Sequence, residues 1–223
     1  MRVEAPDTMK NTRIISAAVL LSGTGSTLQN LIGWIAAGKL PAKIAVVLSS
    51  KPDAYGVTRA KDAGIPVVIV NRKGFKDHTK FAQEVNDRLA KFDLDLIVLA
   101  GYSHLLLLDK LRNIPAINIH PALIPSFCGK GFYGDKVHKA VLEQGIKVTG
   151  VTVHFVDEEY DHGPIVLQEA VRVRRDDTIA SLRSRVQRIE HRLYPEAIKL
   201  FAEGRLRVEG RKVIILPLSK SRK

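Results

Sequence analysis

Three side chains have the types and spacing for acyl chemistry: Asn118, His120 and Asp161. Asn118-Ile119-His120 ends a short apolar run beginning at Ala116, and residues two apart on a strand share a face. An amide and an imidazole therefore stand side by side. That pair suits transfer of an acyl-type group, in which a carbonyl oxygen gains negative charge. Pro121 stops the ladder, so the chain turns there. Asp161 belongs to Asp157-Glu158-Glu159-Tyr160-Asp161-His162-Gly163-Pro164, read as a loop between two strands. A carboxylate near an imidazole raises its pKa and keeps it charged. The plainer reading makes His120 a hydrogen-bonding group at a strand end and Asp161 a turn residue.

A second chemical feature is Ser22-Gly23-Thr24-Gly25-Ser26-Thr27. Glycine permits a tight turn and lets backbone amides approach a ligand. Where a helix begins directly after such a turn, its free amides and its dipole favour an anion, and Ser26 and Thr27 add hydroxyls. A phosphate is the natural occupant. The dinucleotide fingerprint fits badly, since its third glycine would fall at Leu28; the Walker triplet Gly-Lys-Ser/Thr does not follow either. The turn could equally just join two elements.

Other candidates are weaker. His154 and His162 with Asp157 match no zinc spacing, and His154 sits inside a strand pattern, so no metal is expected. His138 and Glu143 are expected on a helix surface. Cys128, the single cysteine, cannot form an internal disulfide, and no local pattern marks it as a nucleophile.

These groups must be positioned by alternating elements. Arg13 to Leu21 reads as a strand, followed by the glycine turn and a helix with Leu28, Leu31, Ile32 and Ile35 on one face. Strands are expected at Lys43 to Leu48, Ile65 to Val70 and Leu94 to Ala100, with helices at Asp53 to Ala63 and from an Asp77 cap to about Lys91. Ala116 to Ile119 is a short strand. A turn-rich stretch from Pro125 to Gly134 precedes a helix from Asp135 to Gln144. Lys147 to Val156 and Ile165 to Val173 read as antiparallel neighbours. Asp176 or Asp177 is expected to cap a long helix running towards Glu203, bent at Pro195, and a hairpin around Glu209-Gly210 follows. The fold class is α/β: an open, mostly parallel twisted sheet with helices on both faces and antiparallel additions in the C-terminal half. One domain is expected over 13–216, with a loose leader over 1–12 and a basic tail over 217–223.

The 223 residues are 45% apolar and 26% charged, which suits a globular domain with a sizeable core. No apolar run approaches the roughly 18 residues that span a bilayer, and the N-terminus lacks a signal peptide's apolar block, so a cytoplasmic protein with no membrane partner is expected. The net charge is +12; residues 172–223 hold 15 basic and 6 acidic side chains, so the excess is C-terminal. A basic surface attracts phosphates or nucleic acids. Here no aromatic residues interleave the terminal basic ones, so nucleic acid is not the expected partner.

Taken together, Ser22 to Gln29, Leu99-Ala100-Gly101-Tyr102, Ile117 to Pro125, Thr149 to Val156, Asp161 to Ile165, Gln187 to His191 and Tyr194-Pro195 resemble, in order, the phosphoribosylglycinamide formyltransferase family. These are the folate-dependent glycinamide ribonucleotide transformylases of purine synthesis. The resemblance covers about 12–216 and implies a Rossmann-like formyltransferase fold, small-molecule substrates, 10-formyltetrahydrofolate as co-substrate and no metal. It implies that Asn118 and His120 stabilise the oxyanion and that Asp161 holds His120 charged and assists proton movement. It places Gly25, Ser26 and Thr27 on the substrate phosphate, with Gln187 and Glu190 also contacting that substrate. Folate contacts are implied at His78, Ser103, His104, Leu105 and Leu106, and at Asp157, Glu158, Glu159, Tyr160 and Asp161.

The chain departs from the family with Ser103-His104 where Met-Arg is frequent, Thr27 where Asn is usual, and His78 near a folate-tail arginine of some members. A monomer or homodimer is expected. A formyltetrahydrofolate hydrolase shares the catalytic trio and is the closest rival, although it would normally carry an N-terminal regulatory domain. A methionyl-tRNA formyltransferase would normally add a C-terminal barrel. A rival of another class is a non-catalytic module that binds anions or RNA through the basic C-terminal region.

Overall fold

The computed structural model describes residues 13–108, 111 and 114–218; the leader over 1–12 and residues 219–223 of the tail lie outside the described residues. The apolar run at the start forms strand β1 (Ile15–Leu21), buried along its whole length. Helix α1 (Ser26–Ala36) follows the glycine turn, and β2 (Ala42–Ser49), α2 (Tyr55–Asp62), β3 (Val67–Ile69), α3 (His78–Leu89) and β4 (Leu96–Leu99) complete the first half. Then come β5 (Ala116–His120), α4 (Asp135–Glu143), β6 (Val148–Phe155), β7 (Ile165–Arg172), α5 (Ile179–Ala202), β8 (Leu206–Glu209) and β9 (Lys212–Ile215).

All nine strands among the described residues join one sheet, in the order β3-β2-β1-β4-β5-β6-β7-β9-β8. β1 to β5 pair in parallel, while β6 runs antiparallel to both β5 and β7. The chain therefore winds outward from β1 through β2 to β3, then returns to lay β4 on the other side of β1. This reversal opens a crevice beyond the carboxyl ends of β1 and β4, where ligands bind in open α/β sheets.

Alternation along β1 divides the core. Ile15, Ala17, Val19 and Leu21 face a cluster shared with α1, α2, α4 and α5, whereas Ala18 and Leu20 face one shared with α3 and the segment after β4. Helices thus cover both faces, as the near-continuous apolar strands require.

One local expectation is corrected. The cap of α5 is Thr178, not Asp176 or Asp177: its hydroxyl accepts from the Ser181 amide, and the Ser181 hydroxyl accepts from the Thr178 amide, a reciprocal box. Asp177 instead pairs with Arg185 and accepts from the Arg174 amide, and these bonds hold its carboxyl well below the usual carboxylate range. The helix also runs on through Pro195 to Ala202.

Tyr194 of α5 is fully buried beneath the sheet. Its hydroxyl lies 2.9 Å from the Leu99 carbonyl and 3.0 Å from that of Ile117, so one hydrogen serves the ends of β4 and β5. Tyr194→Phe strands those carbonyls in an apolar setting, at a cost of about 1–3 kcal/mol. Urea unfolding of the variant is expected to show an earlier midpoint with an unchanged slope.

Candidate active site

β5 carries Asn118 and His120 out to the carboxyl end of the sheet. Its antiparallel register with β6 sets Asn118 opposite His154 and His120 opposite Thr152. The loop after β6 returns Asp161 over the same end, with a left-handed backbone (φ 53°) that aspartate tolerates better than most residues. Gly163 fixes that loop's path: a Cβ there would stand 1.9 Å from the Phe155 carbonyl oxygen.

The carboxylate is the meeting point. Asn118 Nδ2 lies 3.2 Å from Asp161 Oδ1 and 3.2 Å from His154 Nε2, so both amide hydrogens have acceptors. The Gly129 amide donates to Asp161 Oδ2 at 2.9 Å, and His120 Nδ1 stands 3.5 Å from the same oxygen. His120 Nε2 donates to the Phe127 carbonyl at 2.8 Å, and His154 Nδ1 donates to that of Phe155 at 2.8 Å. In the neutral tautomer this leaves His154 Nε2 free to accept from Asn118.

Burial works against ionisation of Asp161, but the nearby imidazoles of His154 and His120 and the Gly129 amide outweigh it and hold the carboxyl below its ordinary value. For His120 the balance goes the other way. Burial pushes its pKa below the usual histidine value, against the opposing pull of Asp161 and the Phe127 carbonyl. The expected effect of Asp161 on the imidazole is thus present but smaller than the cost of desolvating a cation. The resting site holds a carboxylate beside an imidazole that burial drives towards neutrality.

The glycine turn forms the second part. Gly25 caps α1 with φ 72°, and a Cβ there would stand 2.5 Å from the Gly56 Cα of α2. Close approach of two backbones is what the glycines permit. Ser26 and Thr27 open α1, and Gln187 of α5 donates to Ser26 Oγ at 3.2 Å. Glu190 is partly buried one turn further along α5, with no hydrogen-bond or ion-pair partner among the described residues. Burial pushes its carboxyl up to about 7.

The two parts are joined at Ser22. Its hydroxyl lies 2.6 Å from that of buried Ser50 and accepts from the Ser103 amide at 3.4 Å, while the Ser22 amide donates to the Gly101 carbonyl at 3.0 Å. The turn after β1 is thereby tied to the segment after β4 that holds Tyr102 to Leu106.

That segment and α3 form an aromatic wall. His104 packs edge-on against Phe81 (5.0 Å between centroids) and Tyr102 (5.3 Å), and His78 stands 6.2 Å from His104. Burial, with His78, Arg72 and Lys51 near, lowers His104 to about 4, so it stays neutral at physiological pH. The Tyr102 hydroxyl and His78 Nε2 are buried without a partner among the described residues. Leu106 is in the core and offers only its backbone to a ligand. Asp157 starts the facing loop by accepting from the Glu159 amide and from His162; Glu158 and Glu159 are exposed and Tyr160 is half-buried.

The trio expected from sequence is therefore brought together, as are Ser26 and Gln187. His154, read only as a strand residue, was missed. Its signal, a Thr152-x-His154 pair mirroring Asn118-x-His120, becomes legible once the register is known. His138, expected on a helix surface, is buried at 3% exposure with Nδ1 unpartnered among the described residues. Helix α4 turns that face inward, where Val137 and Val141 also lie.

Residues 15–198 match the family model described as formyl transferase. The phosphoribosylglycinamide formyltransferase of Haemophilus influenzae is 42% identical over 194 residues, covering 86% of this chain and 89% of that protein. The trifunctional purine biosynthetic protein adenosine-3 of Homo sapiens is 42% identical over 84% of this chain, which spans only 18% of that protein's length. Among solved structures, glycinamide ribonucleotide transformylase 1 from Symbiobacterium toebii superposes with a TM-score of 0.85 at 41% identity, covering 96% of this chain and 99% of the other.

An unpaired carboxyl whose pKa is raised to about 7 destabilises the fold when ionised. The penalty is absent below the unfolded-state pKa, grows as pH rises from there, and is complete above about 7. Glu190→Gln is expected to raise the thermal midpoint at pH 8 and to leave it unchanged near pH 4, as read by scanning calorimetry.

Proposed function

The chain belongs to the formyl transferase family, and on that premise we propose that it transfers a formyl group from 10-formyltetrahydrofolate to the amine of glycinamide ribonucleotide, a step of purine synthesis. The observation that carries this reading is the convergence of Asn118, His120 and Asp161 beside an anion-suited turn gripped by Gln187.

The folate supplies the formyl carbon, and the glycinamide amine attacks it. Asn118 donates to the oxygen that becomes anionic, exchanging one of its resting hydrogen bonds for that contact. His120 turns an N–H towards the same oxygen, and it does so in a site where burial strengthens each such bond. Asp161, ionised at rest, is a proton acceptor. It takes a proton from the nitrogen that has attacked and returns one, through water, to the nitrogen that leaves. One proton is removed and one delivered, so the residues end as they began.

The amides at the start of α1, with Ser26 and Thr27, receive the phosphate. Glu190 is assigned to the substrate amine, because a buried carboxyl without a partner gains most from a donor. The aromatic wall of Phe81, Tyr102 and His104 fits a flat heteroaromatic ring, and the unpartnered Tyr102 hydroxyl supplies a polar contact at its edge. A neutral His104 does not replace the charge of the arginine frequent at that place. Arg72, stacked over the Phe81 ring at 5.5 Å, is a cation beside that wall.

The hydrolase reading shares the trio, and one assay separates the two. Folate product, followed spectrophotometrically, is expected to form only when glycinamide ribonucleotide is present; turnover independent of it would assign a hydrolase. Asp161→Asn is expected to lose about 100- to 1,000-fold in kcat while substrate still binds, a loss of the size seen when one group acting on a developing charge is removed. Full activity in that variant would take Asp161 out of the chemistry. The apparent affinity for glycinamide ribonucleotide is expected to weaken as pH falls through about 7, where Glu190 takes up a proton, and Glu190→Gln removes that dependence.

A further inference from the structure

Pro195 sits inside α5, where a proline has no N–H to give to the carbonyl four residues earlier. That carbonyl belongs to His191. It is not left unpaired: Asn30 Nδ2 of α1 donates to it at 2.7 Å, across 161 residues of sequence. One turn earlier on both helices, Gln187 Nε2 donates to Ser26 Oγ at 3.2 Å. Ser26 and Asn30 are four apart on α1, and Gln187 and His191 are four apart on α5, so each pair occupies one helix face. The two hydrogen bonds form successive rungs of a seam between the helix that starts at the glycine turn and the helix that carries Gln187 and Glu190.

We propose that Asn30 is a positioning residue for the ribonucleotide site, and that Pro195 makes this possible by freeing a carbonyl in mid-helix to receive it. An uninterrupted helix would have spent the His191 carbonyl on its own residue 195. With the proline, the vacancy becomes a fixed attachment point one residue from Glu190 and one turn from Gln187. The seam sets the distance between the amides of the α1 N-terminus and the two α5 side chains, which must grip opposite ends of one substrate. This inference rests on the reading of the site given above. It adds to that reading a cause for the spacing of its two halves.

Steady-state kinetics on Asn30→Ala and Pro195→Ala test it, with KM measured separately for each substrate. Asn30→Ala is expected to raise KM for glycinamide ribonucleotide about five- to tenfold, the scale of one hydrogen bond, with kcat and the folate KM unchanged. Pro195→Ala closes the intrahelical bond, releases Asn30 and raises the same KM. The double variant separates positioning from simple repair of an orphaned carbonyl. Its thermal midpoint is expected to suffer less from Asn30→Ala than the wild type does, because the carbonyl has an intrahelical donor, yet its KM stays high. A wild-type KM in Asn30→Ala, or a KM that recovers with the midpoint in the double variant, overturns the proposal. Wild-type protein that does not consume glycinamide ribonucleotide overturns the reading of the site instead. If Asn30→Ala does not fold, Pro195→Ala reads the same seam in a chain whose helix is intact.

Discussion

A carboxylate taken out of water must have its lone pairs met by donors, and Asp161 shows how much structure that demand can organise. Its neighbours come from three separate places: Asn118, donating from the end of β5, the Gly129 amide, donating from the loop before α4, and the imidazoles of His120 and His154, 3.5 and 3.7 Å away on β5 and β6. The two donors lie 43 and 32 residues away from it in sequence. The β5–β6 register, the left-handed turn at Asp161 and the tight passage at Gly163 all have to be right at once. An error in any of them leaves a buried charge unpaired, at a cost of several kcal/mol. The same donors keep Asp161 ionised, while burial leaves His120 beside it short of a proton.

What the sequence made legible was local. The β1–turn–α1 unit follows from a change of apolar period at a glycine pair, and Asn118 and His120 share a face because of strand geometry alone. Asp77 was readable as a cap because its role depends on residues two positions away. At α5 two aspartates competed with Thr178 for that role, and Arg185, eight residues on, drew Asp177 away. His154, Phe127 and Gly129 were not legible, because each acts through a contact fixed by register or by a loop path. His138 was misplaced because which way a short helix rolls is decided by what it packs against. Gln187 and Glu190 were identified through resemblance; their spacing alone carries no chemical signal.

The sheet order explains why parts from both ends of the chain can share one site. The return of β4 to the flank of β1 brings the turn at Ser22 and the segment at Gly101 edge to edge, and α5 lies beneath with Tyr194 holding the ends of β4 and β5. The strands give a rigid floor. The site's polar groups gather on it from strand ends, loops and the faces of α1 and α5.

The hydroxyl of Ser22 has a consequence for anyone wishing to reshape this protein. It is a single oxygen shared by the chain just after β2 and the segment after β4, since Ser50 and Ser103 both reach it. Altering Ser103 therefore disturbs the turn after β1 as well as its own segment. Redesign of the aromatic wall is best begun at Phe81 of α3, which packs against His104 without bonding to that shared hydroxyl.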